Sequence, residues 1–352
     1  MIVAPETVEP LPYGMESLAE KLDAGWEELL RTGYRWMLLG RVLDTRMQIL
    51  QRQGRVGFYG AATGNEAVNV AGGLVCRAVD WVLPGLREQL VALVRGHSLP
   101  TYVHHLFADS LDPGRGRNMP CHPTAREVNY VSMSSVIGTQ VSHATGVAYA
   151  QKLRHEGGAT LAFFGDGATS SNDFHAGLNF AGVFELPVVF CCSNNQWAIS
   201  HPVERQSAVR SLASKASAYG FMGRQVDGTD FVETYLALSN ALERARSGNG
   251  PSLLEFVVYR MTPHSSSDDP GRYQPAGWST QAARRDPVLR LSKWLLDHGL
   301  ISSQDESAWK ATAESEVHAA IQAAEATAPP TAQTLTEDVY ASGSYPVSRA
   351  ER

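Results

Sequence analysis

Two short polar motifs, Gly165-Asp166-Gly167 and Asn194-Asn195, are separated by 26 residues in the middle of the chain. The segment between them alternates between strand-like and helix-like patterns, which predicts a βαβ unit. Asp166 and Asn195 would then follow two neighbouring parallel strands, at the edge where open α/β sheets bind ligands. Either motif alone is weak, because GDG is usually a turn and a lone NN is usually a loop.

A carboxylate and an amide oxygen at one sheet edge suit a hard cation. Mg²⁺ prefers about six oxygen ligands and usually shares them with substrate phosphates. Asp166, Asn195 and the backbone carbonyl of Trp197 could supply three of these oxygens. The glycines would let phosphates approach the backbone. The sequence therefore predicts a magnesium and phosphate site, whereas the competing interpretation is an Asp-Gly turn beside a buried asparagine.

Continuous apolar runs at 160–164 and 187–192 predict the two strands, because strands buried on both faces of a parallel sheet lack polar alternation. The helix between them is predicted to be capped by Asn172 or Asp173. The alternation continues with a strand at 223–226, a helix at 231–247 and a strand at 252–260. These patterns predict an α/β fold built on a parallel sheet.

Helical patterns also flank this unit. Amphipathic spacing predicts one or two long helices within 22–53, and further helices at 138–154 and about 286–326. The polar segment 262–285 is typical of a long loop. We expect an N-terminal arm at 1–20, a single domain at 21–330 and a C-terminal tail at 331–352.

Composition narrows the class of protein. A chain of 352 residues, 43% of them hydrophobic, can bury a core without disulfides. The net charge of −6 argues against a nucleic-acid groove. The four cysteines form no CxxC pair, the start is neither signal- nor transit-like, and no apolar run approaches membrane-helix length. We expect a soluble cytoplasmic protein with no membrane or nucleic-acid partner.

With the GDG and NN motifs in place, the sequence closely resembles the alpha subunit of thiamine-diphosphate-dependent 2-oxo acid dehydrogenases, the decarboxylating component. The resemblance covers about residues 25–340. The segments that carry it are FFGDGATSSNDFHAGLNFAG, NNQWAIS, RQGRVGFYG, GRGRNMPCHP, VDGTD and YRMTPHSSSDD. NNQWAIS and YRMTPHSSSDD are closer to the branched-chain type than to the pyruvate type. The resemblance implies the thiamine diphosphate-binding fold, a parallel sheet flanked by helices, with extra N- and C-terminal helices.

The resemblance also implies roles for individual residues. Asp166, Asn195 and the Trp197 carbonyl match the magnesium ligands, and Gly165, Gly167 and Ala168 surround them in the cofactor-binding motif. Arg87 matches the arginine that pairs with the cofactor diphosphate, which a guanidinium can bind in a bidentate way.

Three further groups of residues are assigned by the resemblance. Ser135 and Ile137 match the segment that contacts the aminopyrimidine ring of thiamine. His264 matches a histidine above the thiazolium ring, and an ordinary histidine pKa of about 6.5 suits proton transfer there. In some relatives a potassium ion is held at the positions of Ser134, Thr139 and Gln140. His122, in MPCHP, is assigned no role.

The chain departs from its relatives in places. Leu86, after Gly85, stands where an aromatic residue usually precedes the diphosphate arginine. Ser171 replaces an acidic residue after GDGATS, and Ser193 stands where some relatives have a charged residue before NN. Ser265 occupies a position that eukaryotic relatives phosphorylate. These departures could weaken cofactor affinity or mark a changed substrate.

By resemblance, the chain carries half of a site. The glutamate that activates thiamine belongs to a separate β subunit, which implies an α2β2 heterotetramer, and the acyl group of a small 2-oxo acid would pass to a lipoyl acyltransferase. Two alternatives stay open: a carboligase or acetoin-cleaving enzyme on the same α/β pair, and a non-catalytic α-like scaffold.

Overall fold

The structure is a computed structural model that describes residues 25–337 and 339. The predicted arm at 1–20 lies outside the described residues, as does most of the predicted tail at 331–352. The helices are α1 (Trp26–Arg52), α2 (Glu66–Val75), α3 (Gln89–Val94), α4 (Leu99–Phe107), α5 (Thr139–Arg154), α6 (Asn172–Val183), α7 (Phe231–Arg246), α8 (Trp278–Ala283), α9 (Pro287–Asp297) and α10 (Ser303–Glu325). None of the helices in these ranges is long and apolar enough to cross a membrane.

The main sheet has five strands, all parallel, in the order β1-β2-β3-β7-β6. Its strands are β1 (Trp81–Leu83), β2 (Thr160–Gly165), β3 (Val188–Asn194), β6 (Met222–Asp227) and β7 (Ser252–Val257). A separate antiparallel pair is formed by β4 (Trp197–Ala198) and β5 (His201–Pro202). The predicted α/β fold with a parallel sheet flanked by helices is confirmed.

Two hydrophobic cores lie on opposite faces of the sheet, so successive residues of one strand enter different cores. On β2, Leu161 and Phe163 pack in the core that also contains residues of α1, α7 and α10. Ala162 and Phe164 pack in the core formed with α5 and α6. All seven residues of β3 are buried. Burial on both faces is why these strands are continuously apolar in sequence.

The register of the central strands places the polar motifs together. Gly165 at the end of β2 pairs with Ser193 of β3, and Asn194 at the end of β3 pairs with Val257 at the end of β7. The loops after β2, β3 and β7 therefore leave the same edge of the sheet. Asp166 and Asn195 follow these strand ends, as the sequence predicted.

The predicted cap of α6 is wrong. Its N-cap is Ser171, whose hydroxyl accepts a hydrogen bond from the Phe174 N–H at 3.2 Å, so Asn172 and Asp173 lie inside the first turn. The serine has an extended backbone conformation and can therefore bond the orphan N–H of the third helical residue.

The segment 262–285 is not loop throughout. It contains a short 3-10 helix (Pro270–Arg272) and helix α8. Trp278, at the start of α8, is buried against Trp197 and donates its indole N–H to the Arg260 carbonyl at 3.1 Å. This long-range packing explains a helix that local propensity did not indicate. The predicted region 286–326 is two helices, because a capping box at Ser302 starts α10 anew.

Gly64 allows the chain to pass close to Tyr259, which lies two residues after the end of β7. Its φ is +98°, and a Cβ there would lie 2.0 Å from the Tyr259 carbonyl oxygen. We expect Gly64→Ala to lower the free energy of unfolding by at least ~2 kcal/mol, since it combines left-handed strain with a backbone clash. Gly54 has φ +73° with nothing within 4 Å, so Gly54→Ala should cost ~1 kcal/mol. Denaturant unfolding of both variants measures the two losses of unfolding free energy. Equal losses would contradict the expected clash at Gly64.

Candidate functional site

Asp166 is the first residue after β2 and begins a short 3-10 helix, Asp166–Ser170. Its side chain is 1% exposed, and Oδ2 accepts a hydrogen bond from Nε2 of Gln206 at 2.8 Å. Burial raises the pKa of the Asp166 carboxyl to about 6. The amide of Gln206 and the charge of Arg260 offset this burial only in part, so a bound cation would further stabilise the carboxylate.

The two asparagines after β3 have different surroundings. Nδ2 of Asn194 donates to the buried Glu255 carboxylate at 2.8 Å, and its Oδ1 accepts the Gln196 N–H at 3.0 Å. Asn195 is half-buried, and its Oδ1 accepts the Trp197 N–H at 3.1 Å. An amide oxygen has a second lone pair. Asn194 therefore anchors the turn, while Asn195 can offer its oxygen to a ligand.

The glycines of the GDG motif differ in what surrounds them. A Cβ at Gly165 would meet nothing within 4 Å, so this residue borders open space at the strand end. A Cβ at Gly167 would lie 2.8 Å from Cβ of Ala198, so glycine lets the Asp166 turn approach β4. Ala168 is buried, and its side chain belongs to the core. The open space beside Gly165 is where a phosphate could approach the backbone.

Arg260 joins this edge from the segment after β7. It is 2% exposed; Nη1 donates to the Trp197 carbonyl at 3.2 Å and Nη2 to the Tyr273 hydroxyl at 2.5 Å. Its buried Nε has no hydrogen-bond partner among the described residues. The Trp197 carbonyl, a predicted magnesium ligand, thus already accepts one hydrogen bond and keeps a second lone pair.

Arg87 lies on the same side, just after β1. Its Nη1 donates to the Ala61 carbonyl, and its Nη2 donates to the His264 carbonyl at 2.8 Å. Burial and the nearby charge of Arg260 lower the pKa of Arg87 to about 10. The N–H of Arg87 is bound by Glu88, and its carbonyl by Asn69, which fixes the backbone that presents the guanidinium.

Half-buried Arg87 and buried Arg260 place two like charges close together. In the part of the chain that the structure describes, neither guanidinium forms a salt bridge with a carboxylate. Buried charges in proteins are normally paired, because desolvation without a partner is costly. The pair therefore favours an anionic ligand, and its fork-shaped donors match phosphate oxygens.

His264 is half-buried between these arginines and the following loop. Nη2 of Arg87 lies 3.4 Å from its Nδ1, and its backbone N–H donates to Asp268 at 2.7 Å. Burial, then the charges of Arg87 and Arg260, lower the pKa of His264 to about 4. The pKa of His264 therefore lies below the ordinary histidine value of about 6.5, and the imidazole is neutral at pH 7.

The depressed His264 pKa predicts a pH effect on stability. Between about pH 6.5 and pH 4 the unfolded state binds a proton at His264 that the folded state does not, so stability should fall as the pH is lowered through this window. Histidine-labelled NMR should show a midpoint near 4, and His264→Gln should reduce the stability loss. A midpoint above 6 in the free chain would contradict the described packing.

Ser135 and Ile137 lie in the segment before α5, and both are exposed, Ile137 at 59%. From the apolar pattern alone Ile137 would be assigned to the core, so its exposure is notable in a residue expected to face the aminopyrimidine. The hydroxyl of Ser135 lies 2.5 Å from Nε2 of His122. Both residues therefore lie on the outer face of this segment, Ser135 with its hydroxyl bonded to His122.

The three residues expected at a potassium position are spread along the start of α5. Ser134 Oγ accepts the Val136 N–H at 3.2 Å, and the Thr139 carbonyl accepts the Ser142 hydroxyl at 3.1 Å. Gln140 donates to the Phe163 carbonyl, while its buried Oε1 has no partner within the described ranges. Of the three residues, Gln140 thus has a side-chain oxygen available for a cation. The potassium site stays a prediction.

The departures from the family pattern have local explanations. Leu86 packs on Gly60, whose Cβ would lie 3.1 Å from the leucine Cγ. Ser171 caps α6 and lies against Gly138. Ser193 is 5% exposed, and its buried hydroxyl lacks a partner in the described part of the chain. None of the three displaces Asp166.

The sequence did not predict a site role for Arg260 or Gln206, and it did not predict the contact of His122 with Ser135. Arg260 had a usable signal, because an arginine directly after a buried strand lies at the ligand-binding edge. Gln206 and His122 had none, since their contacts depend on loops folding back over 40 and 13 residues.

A cavity of about 330 Å³ borders the His264 loop, between Ala61, Gln48 of α1 and Ser265. Its volume is within the range of small-molecule sites. Ala61 is also the residue whose carbonyl binds Arg87. The cavity therefore lies next to Arg87.

The site fits a magnesium diphosphate by its donor set. Within residues 25–337 and 339, no group of three or more His, Cys, Asp or Glu side chains could hold a metal ion. A metal here would depend on one carboxylate with neutral oxygens, which is how Mg²⁺ binds when phosphates complete its shell. The open space at Gly165 and the two arginines without a salt-bridge partner in the described residues suit those phosphates.

Comparison with known proteins identifies the family that the chain resembles. The profile of the family described as dehydrogenase E1 component matches residues 34–333. The chain is 40% identical to the 2-oxoisovalerate dehydrogenase subunit alpha 1 of Arabidopsis thaliana, over 89% of this chain and 67% of that protein. It is 43% identical to the 3-methyl-2-oxobutanoate dehydrogenase subunit alpha of Mycobacterium tuberculosis (80% and 74%), and 38% identical to the pyruvate dehydrogenase E1 component subunit alpha of Bacillus subtilis (85% and 79%).

Proposed function

This chain belongs to the dehydrogenase E1 component family, and on that premise we propose that it is the alpha subunit of a thiamine-diphosphate-dependent dehydrogenase for a branched-chain 2-oxo acid. The observation that supports the proposal is that Asp166, Asn195 and the Trp197 carbonyl follow neighbouring strand ends, beside two arginines that form no salt bridge within the described residues. The reaction is the oxidative decarboxylation of the 2-oxo acid, with acyl transfer to a lipoyl acyltransferase.

The residues of this chain would hold the cofactor by its diphosphate end. Asp166, Asn195 and the Trp197 carbonyl would bind Mg²⁺, while Arg87 and Arg260 would neutralise diphosphate oxygens. Bound thiamine diphosphate supplies the electron sink for decarboxylation. The protein's part is to fix and orient the reacting groups in a site with little water.

Ser135 and Ile137 would face the aminopyrimidine ring, and His264 would move protons. Because Arg87 can only donate, Nδ1 of His264 is the acceptor and the proton lies on Nε2. Nε2 is then the atom that would give or take a proton near the thiazolium. Binding of the diphosphate would offset the arginine charges and raise the pKa of His264 toward the working pH.

A β subunit would complete the site. A glutamate that activates thiamine by bonding the aminopyrimidine ring belongs to that chain in the family, and we assign the exposed face of residues 135–137 to this shared interface. The proposed enzyme is an α2β2 heterotetramer that is inactive as the alpha subunit alone. The lipoyl acyltransferase would approach from the side of His264.

The test is to co-express the chain with a β subunit of the same family and to assay the purified complex. With thiamine diphosphate and Mg²⁺, we expect decarboxylation of 3-methyl-2-oxobutanoate and acylation of a lipoyl domain. The kcat/KM should exceed that for pyruvate by about tenfold or more, as expected when a pocket fits two extra methyl groups. The alpha subunit alone is the control and should be inactive.

Other outcomes would contradict the proposal in distinct ways. Acyloin formation without lipoyl acylation would indicate a carboligase on the same α/β pair. Failure of the complex to bind thiamine diphosphate would indicate a non-catalytic scaffold. A preference for pyruvate would leave the family assignment intact and overturn the substrate.

A further inference from the structure

His122 and Ser135 form a histidine–hydroxyl pair that the roles proposed above do not use. His122 is 7% exposed, whereas Ser135 is exposed. Nε2 of His122 lies 2.5 Å from Oγ of Ser135, and Nδ1 lies 3.0 Å from the carbonyl oxygen of Pro120. The imidazole is therefore held at both nitrogens, and one of its partners faces outward from the chain.

The two partners determine where the protons are. The Pro120 carbonyl can only accept, so Nδ1 of His122 carries the proton and donates. In the neutral ring Nε2 is then an acceptor, and the bond to Ser135 must be donated by the serine hydroxyl. With its single proton engaged, Oγ of Ser135 presents only lone pairs to whatever lies outside. Ser135 is thus a fixed hydrogen-bond acceptor.

The surroundings hold the imidazole in place. The His122 N–H donates to Nε2 of His105 at 3.1 Å, and Nδ1 of His105 lies 3.2 Å from the Asp112 carboxylate. The preceding residue, Cys121, has φ +64°, an uncommon conformation for a residue with a side chain, and its Sγ accepts the Gly60 N–H at 3.4 Å. Local strain of this kind persists only where the surrounding contacts impose it.

We propose that His122 is a positioning residue that holds the Ser135 hydroxyl as an acceptor for the amino group of the cofactor's aminopyrimidine ring. This inference rests on the proposed function, which places that ring against residues 135–137. The ring nitrogens of an aminopyrimidine are acceptors, and the amino group is its donor. An acceptor-only hydroxyl therefore selects the amino group and disfavours a flipped ring.

Replacing His122 by asparagine or by glutamine distinguishes a positioning role of the imidazole from a general structural role. Asparagine can keep the donation to Pro120 but is too short to reach Ser135, whereas glutamine can still accept from the serine hydroxyl. In the complex with the β subunit, His122→Asn and Ser135→Ala should each weaken thiamine diphosphate binding about tenfold. The double variant should be no weaker than either single variant, because both remove one interaction. His122→Gln should stay within about threefold of wild type.

Inorganic pyrophosphate is the discriminating probe, since it lacks the ring. Its Mg²⁺-dependent binding, measured by competition, should be unchanged in all four variants. His175→Asn is the matched control, because His175 also bonds a hydroxyl, that of Tyr219, on an exposed part of α6. It should leave both affinities unchanged. Thermal unfolding of each complex checks that the variants fold.

Three results would overturn the inference about His122. Equal loss of pyrophosphate and thiamine diphosphate affinity in His122→Asn would overturn the inference, because the histidine would then support the whole site. Unchanged thiamine diphosphate affinity in that variant would overturn it as well, while leaving the proposed function standing. If the wild-type complex binds pyrophosphate but not thiamine diphosphate, the proposed function fails and this inference with it.

Discussion

Replacing Asp166 by asparagine is expected to weaken Mg²⁺-dependent binding of thiamine diphosphate at least ~100-fold, and to abolish decarboxylation by the α/β complex. The substitution removes the one carboxylate proposed for the metal shell. It keeps the shape of the side chain, and Asn Oδ1 can still accept the hydrogen bond from Gln206. The loss should therefore come from the missing charge, and titration of the complex with cofactor at fixed Mg²⁺ measures it.

The same variant should be more stable than the wild type when no ligand is present. Because the folded pKa of Asp166 is raised to about 6, its ionised form destabilises the fold, and that cost grows as the pH rises from about 4 to above 6. Asp166→Asn should therefore gain on the order of 1–3 kcal/mol at pH 7.5, measured by denaturant unfolding of the alpha subunit. A gain in stability with a loss of binding is the signature of a ligand-binding carboxylate.

Asp173→Asn is the control for this pair of measurements. Asp173 lies seven residues later, in the first turn of α6. Its replacement should change cofactor affinity less than about twofold and remove only a small helix-dipole contribution, ~0.5 kcal/mol. If Asp166→Asn bound the cofactor as tightly as Asp173→Asn, Asp166 would not be a ligand of the metal.

Replacing Arg87 by lysine is expected to weaken thiamine diphosphate binding about 100-fold, even though the positive charge is kept. Lysine offers a point charge on a flexible stem in place of a planar fork, so two charge-assisted hydrogen bonds are lost. Each contributes ~1.5 kcal/mol, which together is about 100-fold in affinity. Lysine would also release the carbonyls of Ala61 and His264, so the His264 loop should loosen. Affinity is measured by titration and loop order by hydrogen exchange.

Arg95→Lys is matched to this change. Arg95 is also half-buried and donates to backbone carbonyls, those of Val128 and Asp80, each at 2.9 Å. It lies outside the candidate site, so its replacement should cost stability without changing cofactor affinity. Equal losses of affinity in the two variants would mean that Arg87 acts through the fold and does not contact the diphosphate.

The sheet and its ligand edge could be predicted because they depend on local patterns. The runs at 160–164 and 187–192 are apolar at every position except Thr160, as expected of strands buried on both faces, and Asp166 and Asn195 follow shortly after them. Helix α8 and the Ser171 cap were not predictable in the same way. Trp278 is helical because it packs on Trp197, a contact between residues 81 positions apart in the chain.

The electrostatics of the site could not be predicted from residue types. The pKa of His264 depends on two arginines: Arg260, which lies four residues before it, and Arg87, which lies 177 positions away in the chain. Residue type also failed to predict the burial of Ile137. The apolar pattern would place it in the core, but it is 59% exposed. Such a residue is intelligible only once the ligand and the partner subunit are considered.

The most direct test is a crystal structure of the α/β complex grown with thiamine diphosphate and Mn²⁺ in place of Mg²⁺. Mn²⁺ can be located by its anomalous scattering. The account predicts one ion per alpha subunit, bonded to Asp166, to Oδ1 of Asn195 and to the Trp197 carbonyl, with Arg87 on the diphosphate. An ion bound elsewhere, or a bound cofactor with Asp166 still paired to Gln206 and no metal beside it, would contradict it.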